Sequence, residues 1–227
     1  MLANIIPLRR LPSGMDFFTY SVPKALTGEI RIGQLVTVPL RNSPIIGIVL
    51  SYLNKDDKND KLKPLINIIH NEPTFPSDFL YFLQDFSEFY GVSLGTILTA
   101  ALPPLTARTA TALSVFPLTP ASTAKKELPL YKKYSNSSEH TNYLMESIIG
   151  PTLIFVPEKY LLSQLYNSLP KTLQTKTALW HSELGTAAKR RIWFDVRNQK
   201  INVVIGTRSA IWLPLFCFNS IIVDLEH

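Results

Sequence analysis

Two short β-branched apolar runs near the end of the 227-residue chain constrain its fold more than any other feature. Residues 202–205 read Asn-Val-Val-Ile and residues 220–223 read Ser-Ile-Ile-Val. Their length and composition predict buried strands of a parallel sheet rather than helices. Each run hands over to polar residues, Gly206-Thr207-Arg208-Ser209 after the first and Asp224-Leu225-Glu226-His227 after the second. In open α/β sheets the carboxyl ends of the strands face ligands, and a strand-end carboxylate is how a nucleotide-hydrolysing sheet holds magnesium. A lone strand-end aspartate is more often a cap or loop residue. Two such strand ends in one short stretch shift the balance towards a ligand-facing edge.

Composition narrows the class. Nearly half the residues are apolar and 18% are charged, which is a globular balance. No apolar run reaches the length of a membrane span, and the start lacks a signal peptide's long apolar stretch. The single cysteine, Cys217, lies among Leu215, Phe216 and Phe218, so no disulfide framework exists and a reducing cytoplasm fits. A buried thiol is the expectation for it. Residues 1–105 carry nine basic and nine acidic side chains, so the net charge of +6 belongs to residues 106–227. That excess points weakly to a polyanionic partner.

The chain divides by pattern into a β-rich start and an α/β end. Phe17-Phe18-Thr19-Tyr20-Ser21-Val22 alternates as a strand. Residues 34–39 and 45–50 are strand-like and flank Arg41-Asn42-Ser43-Pro44, a turn-forming centre. Gly33 and Gly47 suit a small curled barrel with close backbone approaches. The charged run 55–61 reads as a solvated loop, and residues 65–69 as a further strand. Pro76-Ser77-Asp78 opens a helix in which Phe79, Leu83, Phe86 and Tyr90 recur at helical spacing, a stripe expected to be core. Residues 94–101 suit a second short helix stopped by Pro103-Pro104, and residues 106–126 show no period and read as a linker. Lys189-Arg190-Arg191 opens a helix whose other face offers Ala187, Trp193 and Val196. His181-Ser182 and His227 have no partners at metal-ligand or triad spacing, so neither reading is adopted.

Four segments carry a more specific signal. Leu153-Ile154-Phe155-Val156-Pro157-Glu158 with Gln164 comes first, then Trp180-His181-Ser182-Glu183-Leu184 with Arg191-Ile192-Trp193. Val204-Ile205-Gly206-Thr207-Arg208-Ser209-Ala210 with Leu213-Pro214 follows, and Ile221-Ile222-Val223-Asp224-Leu225-Glu226-His227 closes the set. In this order they resemble the first helicase lobe of the primosomal protein N′ (PriA) family of replication-restart DNA helicases. Phe18-x-Tyr20-x-Val22-Pro23, Val36-x-Val38-Pro39, Gly47-Ile48-Val49 and Ala101-Leu102-Pro103-Pro104 are similar to that family's amino-terminal DNA-binding domain.

The resemblance implies a mixed α/β protein: a β-rich 3′ DNA-binding domain at residues 1–105, a linker at 106–127 without a complete winged helix, and a partial RecA-like lobe at 128–227. It implies a pocket for the 3′ end of a DNA strand, with Phe18 stacking the terminal base, Thr19 contacting it, and Arg41 and Lys63 lining the pocket. Many family members have aspartate where this chain has Thr19; a hydroxyl still donates and accepts, but without charge assistance. Thr207 and Arg208 correspond to a segment that touches the DNA backbone.

The same resemblance implies ATP and magnesium, and the residues for them are incomplete. A P-loop needs consecutive backbone N–H groups around the phosphates and a lysine on the terminal ones. At that place the chain reads Tyr134-Ser135-Asn136-Ser137-Ser138-Glu139-His140-Thr141: both glycines are gone, His140 stands for the lysine, Glu139 would repel phosphate, and Thr141 alone matches. In the last motif Asp224, Glu226 and His227 remain, but Leu225 replaces the glutamate that orients water. The family's paired zinc sites have no counterpart in one cysteine.

Three readings follow. The first is a replication-restart protein that binds forked or single-stranded DNA with a free 3′ end and lacks ATPase activity by itself. The second is part of an ATP-dependent 3′-to-5′ helicase completed by another chain, since the sequence stops directly after the Asp224 motif and leaves apolar sheet surface to be covered. The third is an interaction remnant that docks a replication partner, such as another primosome protein or single-stranded DNA-binding protein.

Overall fold

In the computed structural model, residues 1–9, 16–53, 62–112, 114–117 and 130–224 are described. The loop expected at 55–61, much of the expected linker, and Leu225, Glu226 and His227 lie outside them. The chain forms two compact units, Met1–Pro117 and Leu118–His227.

The first unit is built on an antiparallel sheet of β1 (Leu2–Pro7), β2 (Phe18–Ser21), β3 (Leu35–Leu40), β4 (Ser43–Leu53) and β5 (Asn67–Ile68), in the order β2-β1-β4-β3-β5. Alternation along the strands sends Ala3, Ile5, Tyr20, Val36, Val38 and Val49 into one core. β3 and β4 are joined by Arg41 and Asn42 alone, with Leu40 opposite Ser43, so the expected turn is shorter by two residues. Arg41 has φ 56°, the positive value that the first position of a two-residue hairpin loop demands.

The expected strand at 65–69 shrinks to β5 because the segment serves two neighbours. Around Ser21 it accepts from and donates to β2 (Ser21 N to Lys63 O, 3.1 Å; Leu65 N to Ser21 O, 2.9 Å). It then crosses to β3, where Ile66 N donates to Thr37 O at 3.0 Å. One segment thus bridges the two edges of the sheet and produces the expected curl. The close approaches expected at two glycines are present: a Cβ on Gly47 would lie 2.4 Å from Ile5 Cγ2, and one on Gly33 would lie 1.8 Å from the Phe75 carbonyl oxygen.

Three helices follow: α1 (Ser77–Tyr90), α2 (Leu94–Ala101) and α3 (Ala107–Thr111). The α1 stripe is core only at its beginning. Phe79 and Leu83 are buried, whereas Tyr90 is 60% exposed and Phe89 82% exposed, because aromatic residues occur around the whole helix and only part of it meets the sheet. α3 lies inside the stretch read as a linker; Thr106 and Thr109 exchange side-chain-to-backbone bonds at its start, which gives this short helix its cap.

The second unit holds a four-stranded parallel sheet of β6 (Thr152–Phe155), β7 (Thr177–Trp180), β8 (Val203–Gly206) and β9 (Ser220–Val223), ordered β7-β8-β6-β9. The two β-branched runs near the end of the chain are strands, the first displaced by one residue to Val203–Gly206. The helices are α4 (Ser137–Ser147), α5 (Lys159–Ser168), α6 (Lys171–Gln174) and α7 (Thr186–Arg197). Leu144, Ile154, Leu162, Leu165, Val203 and Ile205 form one core. On α7, Ile192, Trp193, Phe194 and Val196 are buried, and the Trp193 indole donates to the Trp212 carbonyl at 3.3 Å. β9 is an edge strand with Ile221 and Val223 half exposed. Together the two sheets make the chain a mixed α/β protein. Among the described residues no helix is long and apolar enough to cross a membrane.

Candidate functional site

The first candidate site lies along β2, the edge strand of the antiparallel sheet. Successive strand residues point to opposite faces, so Phe18 and Thr19 can meet one ligand only around the strand's outer edge. Phe18 is partly buried and packs against the core containing Tyr20. Thr19 sits on the other face, where its hydroxyl donates to Asn4 Oδ1 at 2.9 Å and Asn4 Nδ2 donates to Ser51 Oγ at 3.0 Å. The hydroxyl proton is committed to this cross-strand row, which leaves the Thr19 oxygen as an acceptor.

Lys63 is placed beside the same edge by the hydrogen bonds of Ser21, and its ammonium donates to the Arg41 carbonyl at 2.9 Å. Both side chains are exposed. The fold therefore gathers Lys63 and Arg41 directly, and ties Lys63 to β2 two residues from Thr19. Phe17, which was not singled out in the sequence, is 44% exposed just before β2; the apolar pair Phe17-Phe18 gave no sign of which ring faces solvent.

The second candidate site lies at the carboxyl ends of the parallel strands. Asp224 N donates to Phe155 O at 2.8 Å, which fixes Asp224 at the tip of β9 next to β6. Its carboxylate is 7% exposed as a residue and does not face open solvent. Instead His140 Nε2 lies 2.6 Å from Asp224 Oδ1. The residue standing for the P-loop lysine thus holds the residue expected to hold magnesium.

The loop before α4 is closed in the same way. Asn136 caps α4 by accepting from Glu139 N at 2.9 Å, and Glu139 reaches back to accept from Ser135 N at 2.9 Å. Two backbone N–H groups of this segment, those of Ser135 and Glu139, are thus satisfied by the chain's own side chains. Tyr134 stacks edge-on against His140, with 4.8 Å between ring centroids, and burial together with the Asp224 carboxylate pushes its phenol pKa up. Beside these residues is a cavity of about 430 Å³ whose lining includes Tyr134, Asn136, His140, Thr141, Gln164 and Asp224. The donor set does not fit a magnesium–triphosphate group: its carboxylate is already paired, and a second acid occupies the loop.

Thr207 and Arg208 are positioned by the neighbouring strand tip. Thr207 N donates to Trp180 O at 3.0 Å, and a 3-10 turn, Arg208–Trp212, begins directly after it. Arg208 is exposed and makes no ion pair among the described residues. Cys217 is buried, as expected, and burial pushes its thiol up to about 12.

The architecture is that of a curled antiparallel β unit followed in the chain by a parallel α/β unit. Residues 6–103 match the PriA 3′DNA-binding domain (3′BD) family. The chain is 28% identical, over 98% of its length, to the replication restart protein PriA of Helicobacter pylori (strain ATCC 700392 / 26695), covering 36% of that protein. It is 26% identical over 92% of its length to that of Rickettsia conorii, covering 35%. A shorter match of 37% identity, over 34% of this chain and 11% of the relative, is to PriA of Thermotoga maritima. Residues 6–103 thus match a PriA 3′DNA-binding domain, and the chain as a whole is similar to replication restart proteins PriA while spanning about a third of the length of these first two relatives.

Proposed function

We propose that this protein binds forked or single-stranded DNA bearing a free 3′ end during replication restart, and that it does so without turning over ATP by itself. What supports the DNA reading is that Lys63, bonded to the Arg41 carbonyl, is held beside β2, the strand of Phe18 and Thr19, within the part of the chain that matches the 3′BD family. An aromatic face there can stack a terminal base for about 1–3 kcal/mol without reading its identity, and two cations supply phosphate attraction. Thr207 and Arg208, on the second unit, add a contact to the DNA backbone. The DNA-binding part occupies residues 1–105 and the lobe residues 128–227.

The second unit supports the proposed silence towards ATP. His140 pairs with Asp224, and Glu139 takes up the Ser135 N–H, so a carboxylate and a backbone donor of this loop are already engaged within the chain. Binding of the full chain to a fork with a free 3′ end, against the same fork with a 3′-phosphate, tests the end-recognition reading. Tighter binding to the free end is expected. Equal affinities would remove the end pocket from the account.

A further inference from the structure

The cavity beside His140 and Asp224 has the size of a ligand site but the wrong charge for the ligand its position suggests. At about 430 Å³ it falls within the range of small-molecule pockets. Whichever atom holds the proton between His140 and Asp224, the pair contributes no net positive charge, and Glu139 stands nearby at the loop. An anionic group is therefore disfavoured inside, and a neutral one is accommodated. The walls favour a flat one with hydrogen-bonding edges: Tyr134, Leu161 and Leu165 supply apolar and aromatic surface, while Asn136, Gln164 and Ser168 supply amide and hydroxyl groups.

Positive charge lies outside the aromatic wall rather than within the cavity. Lys132 Nζ sits 4.1 Å from the centroid of the Tyr143 ring, and that ring is 5.9 Å from Tyr134. The preceding residue, Tyr131, is 83% exposed, and Lys133 is exposed as well. A neutral planar group inside and an anion outside, joined through a short linker, is the chemistry of a nucleobase with its phosphate.

We infer that this cavity takes a nucleobase, with the attached phosphate held outside by Lys132 and Lys133. The inference rests on the reading that the site is closed to Mg-ATP. The base can belong to a single strand or to a free mononucleotide, and the two sources are separable.

The test uses the full chain and a 3′-phosphorylated oligonucleotide, so that the end pocket on the first unit contributes little. Gln164 and Ser168 are exposed positions on α5 that line the cavity, so Gln164→Trp and Ser168→Trp fill it with small risk to folding. Each is expected to weaken binding about tenfold, the scale of one lost base contact. Lys132→Ala is expected to weaken it a few-fold and to reduce the salt slope by about one. An oligonucleotide carrying 4-thiothymidine should photocrosslink within residues 134–168. Thymidine 5′-monophosphate that displaces the strand identifies the free nucleotide as the source; failure to displace it identifies the strand. Unchanged affinity in both tryptophan variants, with crosslinks confined to residues 1–105, would overturn the inference while leaving the closed site intact. Magnesium-dependent binding of ATP at the same cavity would overturn the closed-site reading as well.

Discussion

The two units treat their candidate site residues in opposite ways. Around β2, Lys63 and Arg41 are exposed and touch each other only through a backbone carbonyl, so their charges remain available to a partner. At the tips of the parallel strands, His140 and Asp224 have turned on one another, and Glu139 has turned back on its own loop. A site that still faces its ligand keeps its polar groups solvated. A site without its ligand satisfies them internally, since a buried carboxylate left unpaired is costly. Under the proposed function, the exposed cations of the first unit would serve DNA and the paired groups of the second would exclude triphosphate.

The strongest way to break that contrast is to open the closed pair. His140→Ala leaves the Asp224 carboxylate buried without its partner, and should destabilise the second unit by about 1–3 kcal/mol in chemical denaturation. No ATP binding should appear in return. If stability were unchanged, the pair would not be holding the site shut. Next in size, Phe18→Ala should lower the preference for a free 3′ end about tenfold in fluorescence anisotropy, with little change for the blocked end. A uniform loss across both DNAs would mark Phe18 as a core residue instead.

Smaller effects sharpen the picture. Arg208→Ala should weaken all DNA structures a few-fold and reduce the salt slope by about one, because a phosphate contact carries no end preference. The smallest concerns His70, whose pKa burial lowers from the usual 6.5 despite a backbone hydrogen bond with Ala110. The unfolded chain takes up a proton near pH 6.5 while the folded one resists it. Stability of the first unit is therefore complete above that pH and declines as acid is added. His70→Gln should flatten the decline in a thermal-melting series between pH 7 and 5.

Much of the fold was legible because strand signals are local. The run Ser220–Val223 is a strand over its whole length, and residues 202–205 differ from β8 by one residue. What escaped depended on partners far away in sequence. Residues 65–69 look like one strand, but their hydrogen bonds are divided between Ser21 and Thr37. The α1 periodicity marked Tyr90 as core, yet aromatic residues surround that helix and only the tertiary packing decides which are covered. α3 was missed because a threonine-to-threonine cap lacks the glutamate of the usual capping pattern.

The candidate sites divide along the same line. The loss of the lysine and glycines at residues 134–141 was visible in the sequence. The capture of Asp224 by His140 across 84 residues was not, because no local pattern reports a contact made only when β9 lies beside β6 and α4. Likewise, the Lys63-to-Arg41 bond depends on a segment that closes the curl of the first sheet.

The most direct measurement is ATP turnover by the purified full chain, with and without a forked DNA carrying a free 3′ end. The account requires DNA binding with no ATP hydrolysis in either condition. Turnover that rises when the fork is added would contradict it.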